Sequence, residues 1–141
     1  MTWETYDMAG KVKRLSRSDG VSVNAPTSLS TDSTQVDFTL NNNATSTTIS
    51  GISMSSSSNR SGKFLIDVKR DDDADSFHEV FEVTVYWDGS AWVLGSTSSG
   101  DDSGVSFAMK TGGALQYTSS NMTGGNYSGS GSIANIIKIN T

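Results

Sequence analysis

The stretch FHEVFEVTVYWDGSAWV, residues 77–93, decides the fold of this chain. From residue 81 to residue 87, large apolar residues occupy every second position, a period that is typical of a strand with one buried face. The Asp-Gly pair in residues 88–91 is typical of a tight turn between two strands. If that loop holds four residues, Trp87 faces Trp92 on the neighbouring strand. The stretch therefore predicts a β-hairpin with a cross-strand tryptophan pair.

The same period of two occurs on both sides of this hairpin. Residues 64–69 alternate in the same way, and the turn-forming stretch DDDADS at 71–76 separates them from residues 77–87, which predicts a second hairpin. Further strands are predicted at residues 36–40, 105–109, 114–118 and 133–139. Short strands at even spacing, with almost no 3.6-residue pattern, predict an all-β fold, either an antiparallel β-sandwich or a jelly-roll-like domain.

The N-terminal residues differ from the rest of the chain in charge. Four cations lie close together in residues 1–20, namely Lys11, Lys13, Arg14 and Arg17, whereas residues 71–141 carry nine acids against two lysines. We interpret residues 1–20 as an N-terminal arm and residues 21–141 as a single β domain, best defined over residues 60–139. Such a charge asymmetry can orient a protein on a partner surface, and the alternative is that a difference of this size arises by chance.

Two polar stretches leave the prediction open. Composition alone indicates disorder over residues 41–62, although Ile49, Ile52 and Met54 and several threonines fit a strand. The sequence GSGS at residues 129–132 is interpreted as a flexible loop.

The overall composition excludes several classes of protein. The chain has 141 residues, 26 Ser, 15 Thr, no Cys and a net charge of -5. Without Cys it has no disulfide and no thiolate metal site. Its apolar runs reach only three or four residues, whereas a membrane span needs about 18, and the start of the chain lacks a signal peptide. We expect a soluble protein with no membrane partner and, because it is acidic, no nucleic-acid partner.

One acidic stretch has the spacing of calcium ligands. Asp71, Asp73, Asp75 and Glu79 match positions 1, 3, 5 and 9 of an EF-hand loop, but Ser76 stands where that loop needs Gly, and strands flank it where helices are needed. We expect no cofactor and interpret the stretch as a solvated turn, with calcium at these four residues as the alternative.

The sequence also argues against catalysis. His78 is the only histidine, and no Gly-x-Ser-x-Gly nucleophile motif accompanies it. We interpret His78 as a surface residue beside an acidic turn and expect no catalytic residues.

The aromatic residues have two interpretations. Exposed rings on a β scaffold can stack on sugars, which makes Trp92 and Tyr127 candidate glycan contacts. Trp87 and Trp92, however, share a face with Val85 and Leu94, which favours core packing over display.

Three segments together resemble a known kind of protein. Residues 81–92 (FEVTVYWDGSAW), 100–107 (GDDSGVSF) and 113–124 (GALQYTSSNMTG) resemble a β module of small virion structural proteins of tailed bacteriophages. Such modules occur in capsid-decorating and in tail-fibre or receptor-binding proteins. The resemblance implies a β-sandwich or jelly-roll-like fold with a structural or binding role and no catalysis, and it implies no defined site.

Two hypotheses on function follow from the resemblance. In the first, the chain is a capsid decoration (cement) protein, made in the host cytoplasm and placed on the outer capsid surface as a homo-oligomer, for which we expect a trimer. Lys11, Lys13, Arg14 and Arg17 would then contact the major capsid protein or another virion protein. The alternative is a tail-associated receptor-binding or carbohydrate-binding module, with Trp92 and Tyr127 on the glycan. A cellular carbohydrate-binding module is a third interpretation, against which the lack of a signal peptide counts.

Overall fold

The computed structural model describes residues 30–32 and 35–140, so the predicted arm with Lys11, Lys13, Arg14 and Arg17 lies outside the described residues. Within them the chain forms strands and turns, and no helix. The strands are β1 (Ser30–Asp32), β2 (Val36–Thr39), β3 (Thr47–Ser53), β4 (Asn59–Asp71), β5 (Ser76–Trp87), β6 (Trp92–Gly100), β7 (Val105–Met109), β8 (Ala114–Ser119) and β9 (Ser128–Asn140).

The strands form two antiparallel sheets. The larger sheet has six strands in the order β1-β9-β4-β5-β6, with β2 also paired to β9, and the smaller has the order β3-β8-β7. Phe64, Ile66 and Val83 of the larger sheet and Ile49 and Leu115 of the smaller belong to one buried core. The prediction of an all-β, sandwich-like domain is confirmed.

Both predicted hairpins are present. Trp87 is paired with Trp92, with ring centroids 5.5 Å apart and ring planes at 62°. The Asp88 carboxylate closes the four-residue turn, because its Oδ1 accepts hydrogen bonds from the backbone N–H groups of Ser90 and Ala91, both at 2.8 Å. A cross-strand aromatic pair of this kind contributes about 0.2–1 kcal/mol relative to alanines.

The interpretation of residues 129–132 as a loop is wrong, because they lie inside β9. Gly129 is paired with Arg70 and Gly131 with Val68 on β4. A Cβ at Gly129 would overlap the Tyr127 hydroxyl and the Leu40 carbonyl oxygen. Glycine at this position is therefore a packing requirement of the strand.

Residues 41–62 are more ordered than their composition indicates. They contain β3 and the start of β4, and Ile49 and Ile52 are each only 2% exposed. The pairing of β3 with β8 is interrupted between Thr48 and Ser53, where Gly51 has a φ of +93°. Two buried isoleucines on a strand paired with β8 hold this polar stretch in the core.

The connections lie at two opposite ends of the sandwich. We call the first the Arg70 end; it comprises the loops at residues 40–46, 72–75, 101–104 and 120–127. We call the second the Trp end; it comprises the turns at residues 54–58, 88–91 and 110–113. Ser30 pairs with Lys138 and Asn59 with Asn140, so the N-terminal part of the chain joins the domain at the Trp end. No helix in the described part of the chain is long and apolar enough to cross a membrane.

Candidate interaction surface

A buried arginine organises the Arg70 end. Arg70 continues the inward-facing series of Phe64, Ile66 and Val68 along β4, and it is 0% exposed. Its Nη1 donates to the Ser103 carbonyl oxygen at 2.6 Å and to the Ser120 hydroxyl at 3.1 Å.

The remaining nitrogens of Arg70 reach one further loop and contact the 120–127 loop again. Nη2 donates to the Ser120 carbonyl oxygen at 2.6 Å and to the Asn42 side-chain oxygen at 3.1 Å. Nε donates to the Tyr127 hydroxyl at 3.2 Å, and the guanidinium lies 5.3 Å from the centroid of the Tyr127 ring. Because a guanidinium presents five donors in a rigid plane, one side chain holds three loops in a fixed arrangement.

A buried glutamate supports the same end from β5. Glu79 is 8% exposed, and its Oε1 accepts hydrogen bonds from the Ser103 backbone N–H at 3.0 Å and from the Ser103 hydroxyl at 2.5 Å. Ser103 thus bonds to both buried charges, Arg70 through its carbonyl oxygen and Glu79 through its donors. This role is not identified for Arg70 or Glu79 in the sequence analysis. Their positions could have indicated it, because both residues stand at inward positions of alternating strands.

The structure does not bring the four calcium candidates around one point. Asp71 accepts from Lys69 Nζ at 2.7 Å, Asp73 accepts from the Asn126 side-chain amide at 2.8 Å, Asp75 is exposed, and Glu79 points into the sandwich. Among the residues that the structure describes, no group of three or more His, Asp or Glu side chains could hold a metal ion.

The turn at residues 72–75 is built by a carboxylate that the calcium spacing skips. Oδ1 of Asp72 accepts from the backbone N–H groups of Ala74 at 2.9 Å and Asp75 at 2.7 Å, and Oδ2 accepts from that of Gly124 at 2.7 Å. These bonds to Asp75 and Ala74 are the main cause of a lowered pKa of the Asp72 carboxyl. The bonds from Ser90 and Ala91 lower the pKa of Asp88 in the same way at the other end.

Acid should destabilise the protein through these two turns. Because folding lowers both pKa values below the ordinary 3.8, the unfolded chain binds more protons in acid. Their contribution to stability is therefore present above about pH 4 and is lost as the pH falls through the folded pKa values. We expect the thermal midpoint to fall as the pH drops below about 4, and to fall less steeply in the double variant Asp72→Asn/Asp88→Asn. Thermal unfolding followed by circular dichroism measures this.

The control for the acid experiment is Asp75→Asn. The Asp75 side chain is exposed and makes none of the turn hydrogen bonds described above. A double variant whose midpoint followed pH as steeply as Asp75→Asn would contradict the role of the two turn carboxylates.

The two candidate glycan contacts lie at opposite ends of the sandwich. Trp92 is partly buried at the Trp end, where it packs against Trp87 and the core. Tyr127 lies at the Arg70 end, where its hydroxyl donates to the Leu40 carbonyl oxygen at 2.7 Å and accepts from Arg70. The structure does not bring these two rings into one platform.

The outer face of the six-stranded sheet carries one half-exposed ion pair and one hydrogen bond between a histidine and a carboxylate. The ion pair joins Lys63 and Glu82 at 2.8 Å, and a hydrogen bond joins His78 Nε2 and Asp67 Oδ1 at 2.5 Å. A shallow groove of about 240 Å³ runs beside the Lys63–Glu82 pair and is lined also by Asn135. An exposed ion pair of this kind contributes little to stability.

The strand β6 forms one lateral edge of the six-stranded sheet. It is paired along its whole length with β5, and no other described strand pairs with it. Residues 95–100 are exposed and contain only Gly, Ser and Thr. The domain therefore offers three surfaces to partners, namely the rigid Arg70 end, the outer face of the large sheet and the β6 edge.

The comparisons with known proteins give one structural similarity. No protein-family model matches the chain, and no curated protein matches it. The fold is similar to part of the tailspike protein of Acinetobacter phage vB_ApiP_P1, with a TM-score of 0.49 and 17% sequence identity. The match covers 86% of this chain and 25% of the tailspike chain, so the chain spans about a quarter of that protein's length.

Proposed function

We propose that the chain is a non-enzymatic structural module of a phage virion, attached through its N-terminal part and presenting the Arg70 end to the outside. The observation that carries the proposal is the placement of two features at opposite ends of the sandwich. Residues 1–29 join the domain at Ser30, at the Trp end, whereas the loops held by Arg70 form the far end. The resemblance of residues 81–92, 100–107 and 113–124 to phage β modules supports the virion assignment.

The first candidate role is decoration of the outer capsid surface. Here the cations Lys11, Lys13, Arg14 and Arg17 contact the major capsid protein or another virion protein, and the acidic β domain stands away from the shell. No cofactor takes part in such a role, and copies of the chain add contacts to one another.

The second candidate role is that of a tail-associated binding module. It is favoured by the rigidity of the Arg70 end, because loops that are already held in place lose little conformational freedom on binding. Asn42, Ser120 and Tyr127 belong to loops that one buried side chain fixes. In this role the ligand contacts lie on these loops, with Trp92 at the opposite end outside the contact.

The copy number of the chain in purified virions tests the proposal and separates its two forms. Quantitative mass spectrometry of virions of the phage that encodes the chain is expected to detect it in every preparation. Hundreds of copies per particle support decoration, and a dozen or fewer support a tail position. Absence of the chain from purified virions would overturn the proposal.

The attachment through the arm has its own test. Replacing Lys11, Lys13, Arg14 and Arg17 by alanine should reduce the particle-bound fraction to background. The matched control replaces four exposed cations of the domain, which are Arg60, Lys63, Lys69 and Lys110. Equal binding by the arm variant and the wild type would exclude the arm as the attachment.

A further inference from the structure

The edge strand β6 lacks the features that normally protect a sheet edge. Proteins protect such edges with charged residues, proline, bulges or short strands, because unpaired N–H and C=O groups otherwise recruit another strand. The nine residues Trp92–Gly100 contain no charge and no proline. Their pairing with β5 runs without a register shift from Trp92 opposite Trp87 to Gly100 opposite Glu79.

The other edges in the described part of the chain are protected. On the far side of the large sheet, β9 pairs with the short strands β1 and β2, and β2 carries Asp37. In the small sheet, β3 is interrupted at Gly51, and β7 has only five residues. An open, regular edge is thus confined to β6.

We propose that β6 pairs antiparallel with β6 of a second copy of this chain, so that two six-stranded sheets join edge to edge in a twofold dimer. The same strand then meets itself, which is the requirement of an isologous interface. Residues 95–100 place only Gly, Ser and Thr opposite one another, so no like charges meet and hydroxyl side chains can pair across the strands.

The charges around β6 favour antiparallel over parallel pairing of two copies. The loop that follows β6 carries Asp101 and Asp102, both exposed, at the Arg70 end. Antiparallel pairing brings this loop to the Trp end of the other copy, where the exposed Asp88 and Lys110 balance in charge. Parallel pairing would bring the two acidic loops together and is opposed by their repulsion.

This inference does not depend on the proposed virion function, because it concerns the purified chain alone. It also differs from the trimer expected from the sequence. A closed trimer needs a head-to-tail contact between two different edges, whereas a strand that pairs with itself produces a dimer. The stoichiometry in solution therefore separates the two.

Cysteine cross-linking tests the pairing directly, because the chain has no native Cys. Single cysteines are placed in turn at positions 95–99, and each full-length variant is oxidised mildly. Directly opposite residues of an antiparallel pair have Cβ atoms about 4.5–5.5 Å apart, close to the separation in a disulfide. We expect a disulfide-linked dimer whose yield is highest at one position and falls at its neighbours.

The matched control for the cross-linking is Thr84→Cys. Thr84 is exposed on the same sheet face as Thr97, but it lies on β5, one strand inside the edge. If no cysteine at positions 95–99 cross-links more than Thr84→Cys, the β6 pairing is overturned.

The mass in solution provides the second measurement. Light scattering on the wild-type chain should give about twice the 14.9 kDa chain mass, and Thr97→Lys should weaken the dimer at least about tenfold, because it places like charges near the twofold axis. Thr84→Lys should leave the dimer unchanged. A monomer at every concentration, or an oligomer that Thr97→Lys does not weaken, would show that β6 is not the interface.

Discussion

Replacing Arg70 with methionine is expected to reduce the free energy of unfolding by about 1–3 kcal/mol. The substitution keeps an unbranched side chain of similar reach, but it removes every donor from a site that is 0% exposed. The carbonyl oxygens of Ser103 and Ser120 each accept from Arg70 at 2.6 Å. Ser103 is only 1% exposed, and its carbonyl oxygen would lose this donor in a buried place, which costs about 1–3 kcal/mol. The Ser120 carbonyl oxygen still accepts from the Asn43 backbone N–H at 3.2 Å. Urea unfolding followed by tryptophan fluorescence measures the loss.

Two further variants decide what the Arg70 result means. Arg60→Met removes an exposed arginine from the same strand and should change the stability by less than about 0.5 kcal/mol. Arg70→Lys keeps the charge but cannot match the planar set of five donors, so it should stay well below wild type. If Arg70→Met were as stable as Arg60→Met, the buried network would not hold the loops together.

The second large effect is expected at Gly129. Gly129→Ala should destabilise the protein by about 1–3 kcal/mol, the usual range for overpacking. The added methyl group would overlap the Leu40 carbonyl oxygen, which is backbone and cannot rotate away, and the Tyr127 hydroxyl bonded to it. Because Gly129 lies opposite Arg70, the disturbance falls on the same network. Denaturant unfolding measures the change.

Gly95→Ala is the matched control for this substitution. Gly95 also lies within a strand of the large sheet, but a Cβ there meets no atom within 4 Å. This variant should be neutral or slightly more stable, because alanine lowers the conformational entropy of the unfolded chain. Equal stability of the two alanine variants would mean that β9 shifts to accept a side chain, and that the glycine is not required.

The alternating strands could be predicted because their signal is local. Whether a residue of a strand faces the core or the solvent follows from the period of two, and the turn residues Asp88 and Gly89 mark where the chain reverses. Phe64, Val83 and Val85 are buried as their positions predict. The same parity places Arg70 and Glu79 inward, but a charge at an inward position is tolerable only if partners meet it there.

Those partners come from distant parts of the chain. Asn42, Ser103 and Ser120 lie 28, 33 and 50 residues from Arg70, and no local pattern links them. The interpretation of residues 129–132 (GSGS) as a loop is wrong for a related reason. Glycine and serine lack a strong strand preference, so what makes them a strand is the pairing with β2 and β4 on either side.

The arrangement of the surfaces likewise followed from the tertiary structure. The uncharged composition of residues 95–100 is visible in the sequence, but only the strand order shows that they form an open edge. From the sequence, Trp92 and Tyr127 are equivalent aromatic candidates. Only the fold shows that they lie at opposite ends of the sandwich. Local alternation and turn chemistry determine which segments are strands and which face of each is apolar. Long-range pairing decides the sheet order, the burial of Arg70 and Glu79 and the position of each edge, because these depend on residues that meet only after the chain has folded.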